Sequence, residues 1–96
     1  MAQQAQLHAI VHGRVQGVSF RYYSQIQAER LGLTGWVHNL ADGTVETTAV
    51  GPRDKLDDFL KWLHQGPSGA RVTGVDVNWS EHPQTFETFE IRHDPE

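Results

Sequence analysis

The sequence predicts an α+β fold in which a mostly antiparallel sheet has two helices packed on one face. Three observations lead to this prediction. Runs with the two-residue period of strands and runs with a helical period follow in the order strand, helix, strand, strand, helix, strand, strand. The letters ADG between the second and third strand-like runs are typical of a tight hairpin. Because strand–helix–strand crossovers are right-handed, this order folds into a split β-α-β sandwich.

The first strand and the first helix follow from the spacing of apolar residues. In QLHAIVHG, Leu7, Ala9 and Val11 alternate with other side chains, which predicts a strand. A helix is predicted in FRYYSQIQAERLGL, and Gly32 is a natural stop for it. The residues expected on its inner face and in the turn between them are Phe20, Tyr23, Ser24, Ala28 and Leu31.

The second half of the chain predicts a hairpin, a helix and two more strands. TGWVHNL and TVETTAV are alternating and β-branched, so they form the arms of the ADG hairpin. GPRDKLDDFLKWLHQG predicts a helix with Pro52 in its first turn and Gly66 at its end. Its apolar residues are Leu56, Phe59, Leu60 and Leu63. The last strands lie in RVTGVDVNW and TFETFEIRH, with the inward residues Val75, Val77, Trp79, Phe89 and Ile91.

Length and composition restrict the class of protein. The 96 residues predict a single domain over 1–96, long enough to bury a core without disulfides. There is no cysteine, which excludes disulfides, thiolate metal sites and a thiol nucleophile. MAQQAQLHAI lacks the basic and apolar regions of a signal peptide, and no later run is long enough to span a bilayer. We therefore expect a cytoplasmic protein that does not bind membranes.

The charge of the chain argues against general nucleic-acid binding. The formal net charge is -4, whereas such a protein needs a basic face to neutralise phosphates. The charges are unevenly spread, since residues 1–40 carry three arginines and one glutamate. This basic part contains the glycine-rich stretch GRVQGVSFR.

GRVQGVSFR connects the first strand to the first helix and predicts an anion site. The first N–H groups of a helix lack intrahelical partners, and the helix dipole adds positive charge there. Gly13 and Gly17 allow the backbone to turn N–H groups inward, and Arg21 adds a planar cation suited to phosphate or carboxylate. A second interpretation stays open: Gly17 relieves a tight turn, Ser19 caps the helix and Arg21 is solvated. A bound anion is favoured because an unused cation in the first turn opposes the dipole.

Other common catalytic arrangements are not favoured. Ser19 has no evident histidine and carboxylate to activate it as a nucleophile, and an N-cap role explains it better. His8 and His12 lie on a strand, where four residues span about 13 Å, too far for one metal ion without a bulge. Asp57 and Asp58 fall on the outer face of a helix and are expected to be solvated.

The remaining candidates are Arg21, the loop amides and Asn39, which by pattern alone is a polar residue near a turn. With GRVQGVSFR, the stretches LGLTGWVHNLADGTVE, GPRDKLDDFLKWLHQGP and ARVTGVDV closely resemble the acylphosphatase family, over residues 6–92. The resemblance implies a ferredoxin-like split β-α-β fold, in agreement with the periodicity. It also implies hydrolysis of the carboxyl–phosphate bond of small acyl phosphates, without a metal or cofactor.

By motif position, the resemblance also implies which residues act. Arg21 takes the place of the phosphate-binding arginine and Asn39 that of the water-orienting asparagine. His38 stands where relatives often carry a basic side chain. The expected partners are a small acyl phosphate and inorganic phosphate, as product and inhibitor, and we expect a monomer. The amides expected to hold the phosphate are those of Gln16, Gly17, Val18, Ser19 and Phe20.

Two other functions are weighed against a free-standing hydrolase. A module of the same fold could hold a phosphorylated ligand without catalysis. The similar domain of hydrogenase-maturation proteins is accompanied by further domains and zinc-binding cysteines, and this sequence has no cysteine. An RNA-binding sheet stacks bases on aromatic side chains of its central strands, which LHAIV and TVETTAV lack. The hydrolase remains the favoured interpretation.

Overall fold

The computed structural model describes residues 3–93, which form one five-stranded sheet with two helices packed against it. Within this part of the chain, no helix is long and apolar enough to cross a membrane. The helices are α1 (Phe20–Arg30) and α2 (Arg53–Gln65). The strands are β1 (Gln4–Arg14), β2 (Thr34–Asn39), β3 (Val45–Pro52), β4 (Arg71–Ser80) and β5 (Phe89–Ile91).

The strands lie in the order β4-β1-β3-β2-β5. Strand β1 pairs antiparallel with both β3 and β4, and β2 pairs antiparallel with β3. Strand β5 instead pairs with β2 in parallel. The element order, the mostly antiparallel sheet and the hairpin between β2 and β3 confirm the predicted split β-α-β sandwich.

The core lies between the sheet and the helices, as the alternation predicts. Helix α1 packs over β2 and β5, and α2 packs over β1 and β4. Aromatic rings fill the space below α2, since the ring of Phe59 lies 5.9 Å from that of Phe89 and the ring of Trp62 lies 5.4 Å from that of Phe20. The fully buried side chains include Leu7, Ala9 and Val11 of β1 and Leu56, Phe59 and Leu63 of α2.

Helix α1 differs from its prediction in one position. Ser24 and Ala28 are fully buried, but Tyr23 is 43% exposed and lies outside the core. Ser24 fits the interior because its hydroxyl donates a hydrogen bond of 2.8 Å to the carbonyl of Phe20, which satisfies the polar group. The helix ends at Arg30, with Leu31 at the C-cap position and Gly32 directly after it, as expected.

The two glycines at strand contacts have structural roles. Gly13 lies within β1, opposite Val72 of β4, where the register shifts. It is therefore part of a bulge and not of the loop to which the sequence assigned it. Gly35 of β2 has a φ of 140°, and a Cβ atom there would overlap the carbonyl oxygen of Thr48. Only glycine permits β2 and β3 to approach so closely.

Gly35→Ala should lower the free energy of unfolding by about 3 kcal/mol, because the added methyl group forces β2 away from β3 and the backbone φ is unfavourable for alanine. Gly74→Ala is the control, since a Cβ atom there meets nothing within 4 Å. That substitution should change stability by less than about 1 kcal/mol. Urea titrations of both variants measure the difference, and equal effects would contradict this account of Gly35.

Candidate active site

The loop between β1 and α1, residues 15–19, has an unusual backbone. Gly17 has a φ of 76° and Ser19 a φ of 61°, and Ser19 is the one non-glycine residue of the range 3–93 with a positive φ. A left-handed serine costs about 1 kcal/mol or more and is typical of ligand-binding loops. Left-handed residues next to right-handed or extended ones turn successive N–H groups to one side, which forms an anion-binding nest.

Helix α1 begins immediately after this loop, with Ser19 at the N-cap position as predicted. The carbonyl of Ser19 accepts a hydrogen bond of 3.1 Å from the N–H of Tyr23. Among the described residues, however, the Ser19 hydroxyl makes no capping hydrogen bond, and the first turn contains no acidic residue. The positive end of the helix dipole is therefore available to an external anion.

The predicted site residues come together at one cleft of about 390 Å³. Arg21 of α1 and Asn39 of β2 both line it. Four of the five predicted loop residues do so too: Gln16, Gly17, Ser19 and Phe20. The side chain of Val18 packs against the core instead, so only its main chain is available to the cleft.

The cleft is also lined by four residues that were not predicted to belong to the site: Val15, Tyr22, Ile91 and His93. Tyr22 is 54% exposed at the rim. Ile91 and His93 belong to the end of the chain and reach the site because β5 lies beside β2. No local spacing links them to the loop, so only the sheet order could have identified them.

Arg21 points toward the segment that follows β5. Its Nη1 donates a hydrogen bond of 3.3 Å to the carbonyl oxygen of Arg92. Arg21 is half-buried, and the acceptor is a neutral carbonyl. A phosphate oxygen that replaces this carbonyl would accept a stronger, charge-assisted hydrogen bond from the guanidinium.

Asn39 reaches the cleft because of the alternation of β2. Gly35 and Val37 are buried on the side of the sheet that faces the helices, and Asn39 continues this series at the end of the strand. The loop and α1 lie on that same side. The intervening residue, His38, necessarily points to the other face of the sheet.

Gln16 contributes more than a main-chain amide. Its side-chain Nε2 donates hydrogen bonds to the carbonyl oxygens of Leu40, at 2.8 Å, and Thr44, at 2.9 Å. These carbonyls belong to the β2–β3 hairpin that carries Asn39. This contact could not be predicted from the sequence, because every residue has a main-chain carbonyl.

Comparison with known proteins identifies the family of this chain. The model of the acylphosphatase family matches residues 7–91. The chain belongs to the acylphosphatase family. An acylphosphatase of Anaeromyxobacter sp. (strain Fw109-5) is 45% identical over 97% of this chain and 100% of its own length.

Two solved structures of acylphosphatases share the fold. The acylphosphatase from Coxiella burnetii has a TM-score of 0.90 and 39% identity, with 94% of each chain covered. The acylphosphatase from Bacillus subtilis has a TM-score of 0.90 and 40% identity, with 92% of this chain and 98% of its own covered. The ferredoxin-like fold expected for an acylphosphatase is thereby confirmed.

In this member of the acylphosphatase family, His38 lies on the sheet face opposite the cleft. Its Nε2 donates a hydrogen bond of 2.6 Å to Oε1 of Glu46, and its ring lies 4.9 Å from that of Trp36. Glu46 also accepts a hydrogen bond of 2.7 Å from Nε2 of His8. Glu46 therefore joins strands β1, β2 and β3, and the side chain of His38 lies away from the cleft.

The histidines of β1 have separate partners. His8 binds Glu46, whereas Nε2 of His12 donates a hydrogen bond of 2.8 Å to Asp76 of β4. Within residues 3–93, no three histidine or carboxylate side chains are grouped in a way that could hold a metal ion. That these two histidines share no ion remains a prediction from the sequence.

Two carboxyl groups near these elements have altered acidities. Burial raises the pKa of Glu46, but the hydrogen bonds from His8 and His38 outweigh it and bring the pKa below its ordinary value of 4.5. Hydrogen bonds from the hydroxyl and the N–H of Thr44 lower the pKa of Asp42 in the hairpin turn. Both groups favour the folded state when ionised.

Glu46→Gln should therefore destabilise the protein at neutral pH by about 1 kcal/mol, since it weakens two hydrogen bonds to a charged acceptor. Because folding lowers the pKa of Glu46, its contribution is present above 4.5 and is lost as the pH falls through the folded value. Urea unfolding at pH 7 and pH 3 should show the two proteins converging at the acidic pH. The exposed Glu87, changed to Gln, is the control, and a gap that persists undiminished at pH 3 would contradict the role of Glu46.

Proposed function

We propose that the protein hydrolyses the carboxyl–phosphate bond of small acyl phosphates, releasing a carboxylate and inorganic phosphate. Membership of the acylphosphatase family supports the reaction class. The observation that carries the assignment of residues is that the strained loop, Arg21 and Asn39 line a single cleft. We further propose a monomeric, cytoplasmic enzyme of one domain.

The loop and Arg21 bind the phosphoryl group. Main-chain N–H groups of residues 16–20 donate to its oxygens, and the start of α1 adds the positive end of the helix dipole. The guanidinium of Arg21 supplies two parallel donors that match two phosphoryl oxygens. These donors are held in place before the substrate arrives, so little reorganisation is needed when charge develops.

The reaction requires few other groups from the protein. An acyl phosphate is a mixed anhydride, so its leaving group is a carboxylate that departs without being protonated. Charge in the transition state accumulates mainly on the phosphoryl oxygens and on the leaving oxygen. The amides and Arg21 stabilise that charge, and the chemistry requires no metal or organic cofactor.

Asn39 orients the attacking water. Its side-chain carbonyl oxygen accepts a hydrogen bond from the water, which directs the water oxygen toward phosphorus. A new bond forms between that oxygen and phosphorus while the bond to the acyl oxygen breaks. Since neither Asn39 nor Arg21 is a base at neutral pH, the proton of the water passes to a phosphoryl oxygen of the substrate.

Arg21→Ala should reduce kcat/KM for benzoyl phosphate by about 100-fold or more, because it removes phosphate binding and charge stabilisation together. Arg21→Lys should recover little, since an ammonium lacks the planar pair of donors. Phosphate release is measured with a chelator present. Arg14→Ala is the control, because Arg14 is exposed at the end of β1 and should be dispensable. A parent protein without activity, or activity that the chelator abolishes, would refute the proposal.

Asn39→Ala should lower kcat by about 10-fold to 100-fold through loss of water alignment. The inhibition constant of inorganic phosphate should change less than about twofold, since the loop and Arg21 are intact. His38→Gln is the matched control, because the side chain of His38 lies on the opposite face of the sheet. This substitution should leave kcat unchanged. If phosphate inhibition weakened as much as kcat fell, Asn39 would bind phosphate rather than orient water.

A further inference from the structure

The proposed hydrolysis needs two elements at a fixed separation. The loop of residues 16–20 holds the phosphoryl group, while β2 carries the water-orienting Asn39. An error of roughly 1 Å between water and phosphorus can cost about 100-fold in rate. The loop precedes α1 and the hairpin follows it, so the local backbone does not fix their distance.

The side chain of Gln16 spans this gap. Its Nε2 donates to the carbonyl oxygens of Leu40 and Thr44, which lie 24 and 28 residues further along the chain. The N–H of Leu40 also donates to the carbonyl of Thr44 at 2.9 Å, so these residues close the base of the hairpin turn. Leu40 directly follows Asn39. The contact between Gln16 and the Leu40 carbonyl therefore lies next to Asn39, whose position it can set.

The contact requires an amide side chain. Both hydrogens of Nε2 are used, one for each carbonyl. The Leu40 carbonyl already accepts a hydrogen bond of 3.2 Å from the N–H of Gly43 and still retains an acceptor site for Gln16. A carboxylate at position 16 would meet two carbonyl oxygens without a hydrogen between them, and an apolar side chain would leave that gap unbridged.

We propose that Gln16 is a positioning residue whose side-chain amide sets the distance between Asn39 and the phosphate-binding loop. The inference rests on the proposed function. The main-chain N–H of Gln16 belongs to the loop that binds phosphate, whereas its side chain acts on the hairpin. A substitution of the side chain therefore separates the two roles.

Gln16→Met keeps the length of the side chain and removes both donors. Its kcat for benzoyl phosphate should fall about tenfold or more, because Asn39 is no longer held at the required distance. The inhibition constant of inorganic phosphate should change less than about twofold, because the main-chain amides and Arg21 remain. Gln16→Asn keeps the amide but shortens its reach by one methylene. It is measured in parallel, in case the methionine variant does not fold. Its kcat should also fall, while its inhibition constant for phosphate stays unchanged.

A double-mutant cycle tests whether Gln16 acts through Asn39. Once Asn39 is alanine, the Gln16 side chain has nothing left to position. The variant with Gln16→Met and Asn39→Ala together should therefore be as slow as Asn39→Ala alone, within about twofold. If Gln16 had only a structural role, the kcat of the double variant would instead fall by the product of the two single losses.

Gln25→Met is the matched control. Nε2 of Gln25 donates a hydrogen bond of 3.0 Å to the carbonyl of Phe89, so this variant also loses an amide-to-carbonyl contact between two elements. That contact joins α1 to β5 and does not involve the hairpin. Gln25→Met should keep kcat within about twofold of the parent protein.

The outcomes separate this inference from the proposed function. A parent protein that releases no phosphate overturns the hydrolysis itself. An active parent with a slow Asn39→Ala variant but a normal Gln16→Met variant overturns the positioning role alone. Three further results would overturn the positioning role of Gln16. They are multiplied losses of kcat in the double variant, phosphate inhibition that weakens as much as kcat falls, and a Gln25→Met variant that is equally slow.

Discussion

The proposed site depends on one constraint: to bind a phosphate, the β1–α1 loop would have to hold its N–H groups in a single direction without a ligand to order them. Gly17 and Ser19 adopt left-handed conformations, and that of Ser19 is unfavourable. The residues on either side offset this cost, because Val15 and Phe20 are buried at 1% and 2% exposure. A strained loop between two buried anchors cannot relax without exposing apolar surface. The buried anchors therefore hold the backbone conformation of the loop in the absence of a ligand.

The sheet separates Glu46 from this loop. The chain has a net charge of -4, yet the first turn of α1 contains no carboxylate. Glu46 lies on the opposite face of the sheet, where His8 and His38 donate to it. At physiological ionic strength, charges more than about 8 Å apart are largely screened. Among the described residues, those that line the cleft include Arg21 and no carboxylate, although the protein as a whole is acidic.

Periodicity predicted the fold because the apolar residues of each helix or strand repeat at a regular spacing within that element. The apolar stripe of α2 and the alternation of β1 needed no knowledge of their partners. The loop and Arg21 were predicted as an anion site from glycine at a helix start, whereas the role proposed for Asn39 came only from the family resemblance. The Gln16 contact could not be predicted, because its acceptors are main-chain carbonyls that lie 24 and 28 residues away. His93 was missed for a similar reason, since it joins the cleft only through the pairing of β5 with β2.

The environment of Arg21 has a consequence for what the cleft accepts. Its partner before substrate binds is the neutral carbonyl of Arg92, at 3.3 Å. A phosphoryl oxygen that displaces this carbonyl exchanges a weak hydrogen bond for a charge-assisted one. Within residues 3–93, Arg21 makes no ion pair that would have to be broken. The proposed catalytic groups, however, supply positive charge and orientation but no proton for a leaving oxygen. A carboxylate leaves without that proton, whereas an alkoxide does not, so the same set of groups suits acyl phosphates far better than phosphate esters of alcohols.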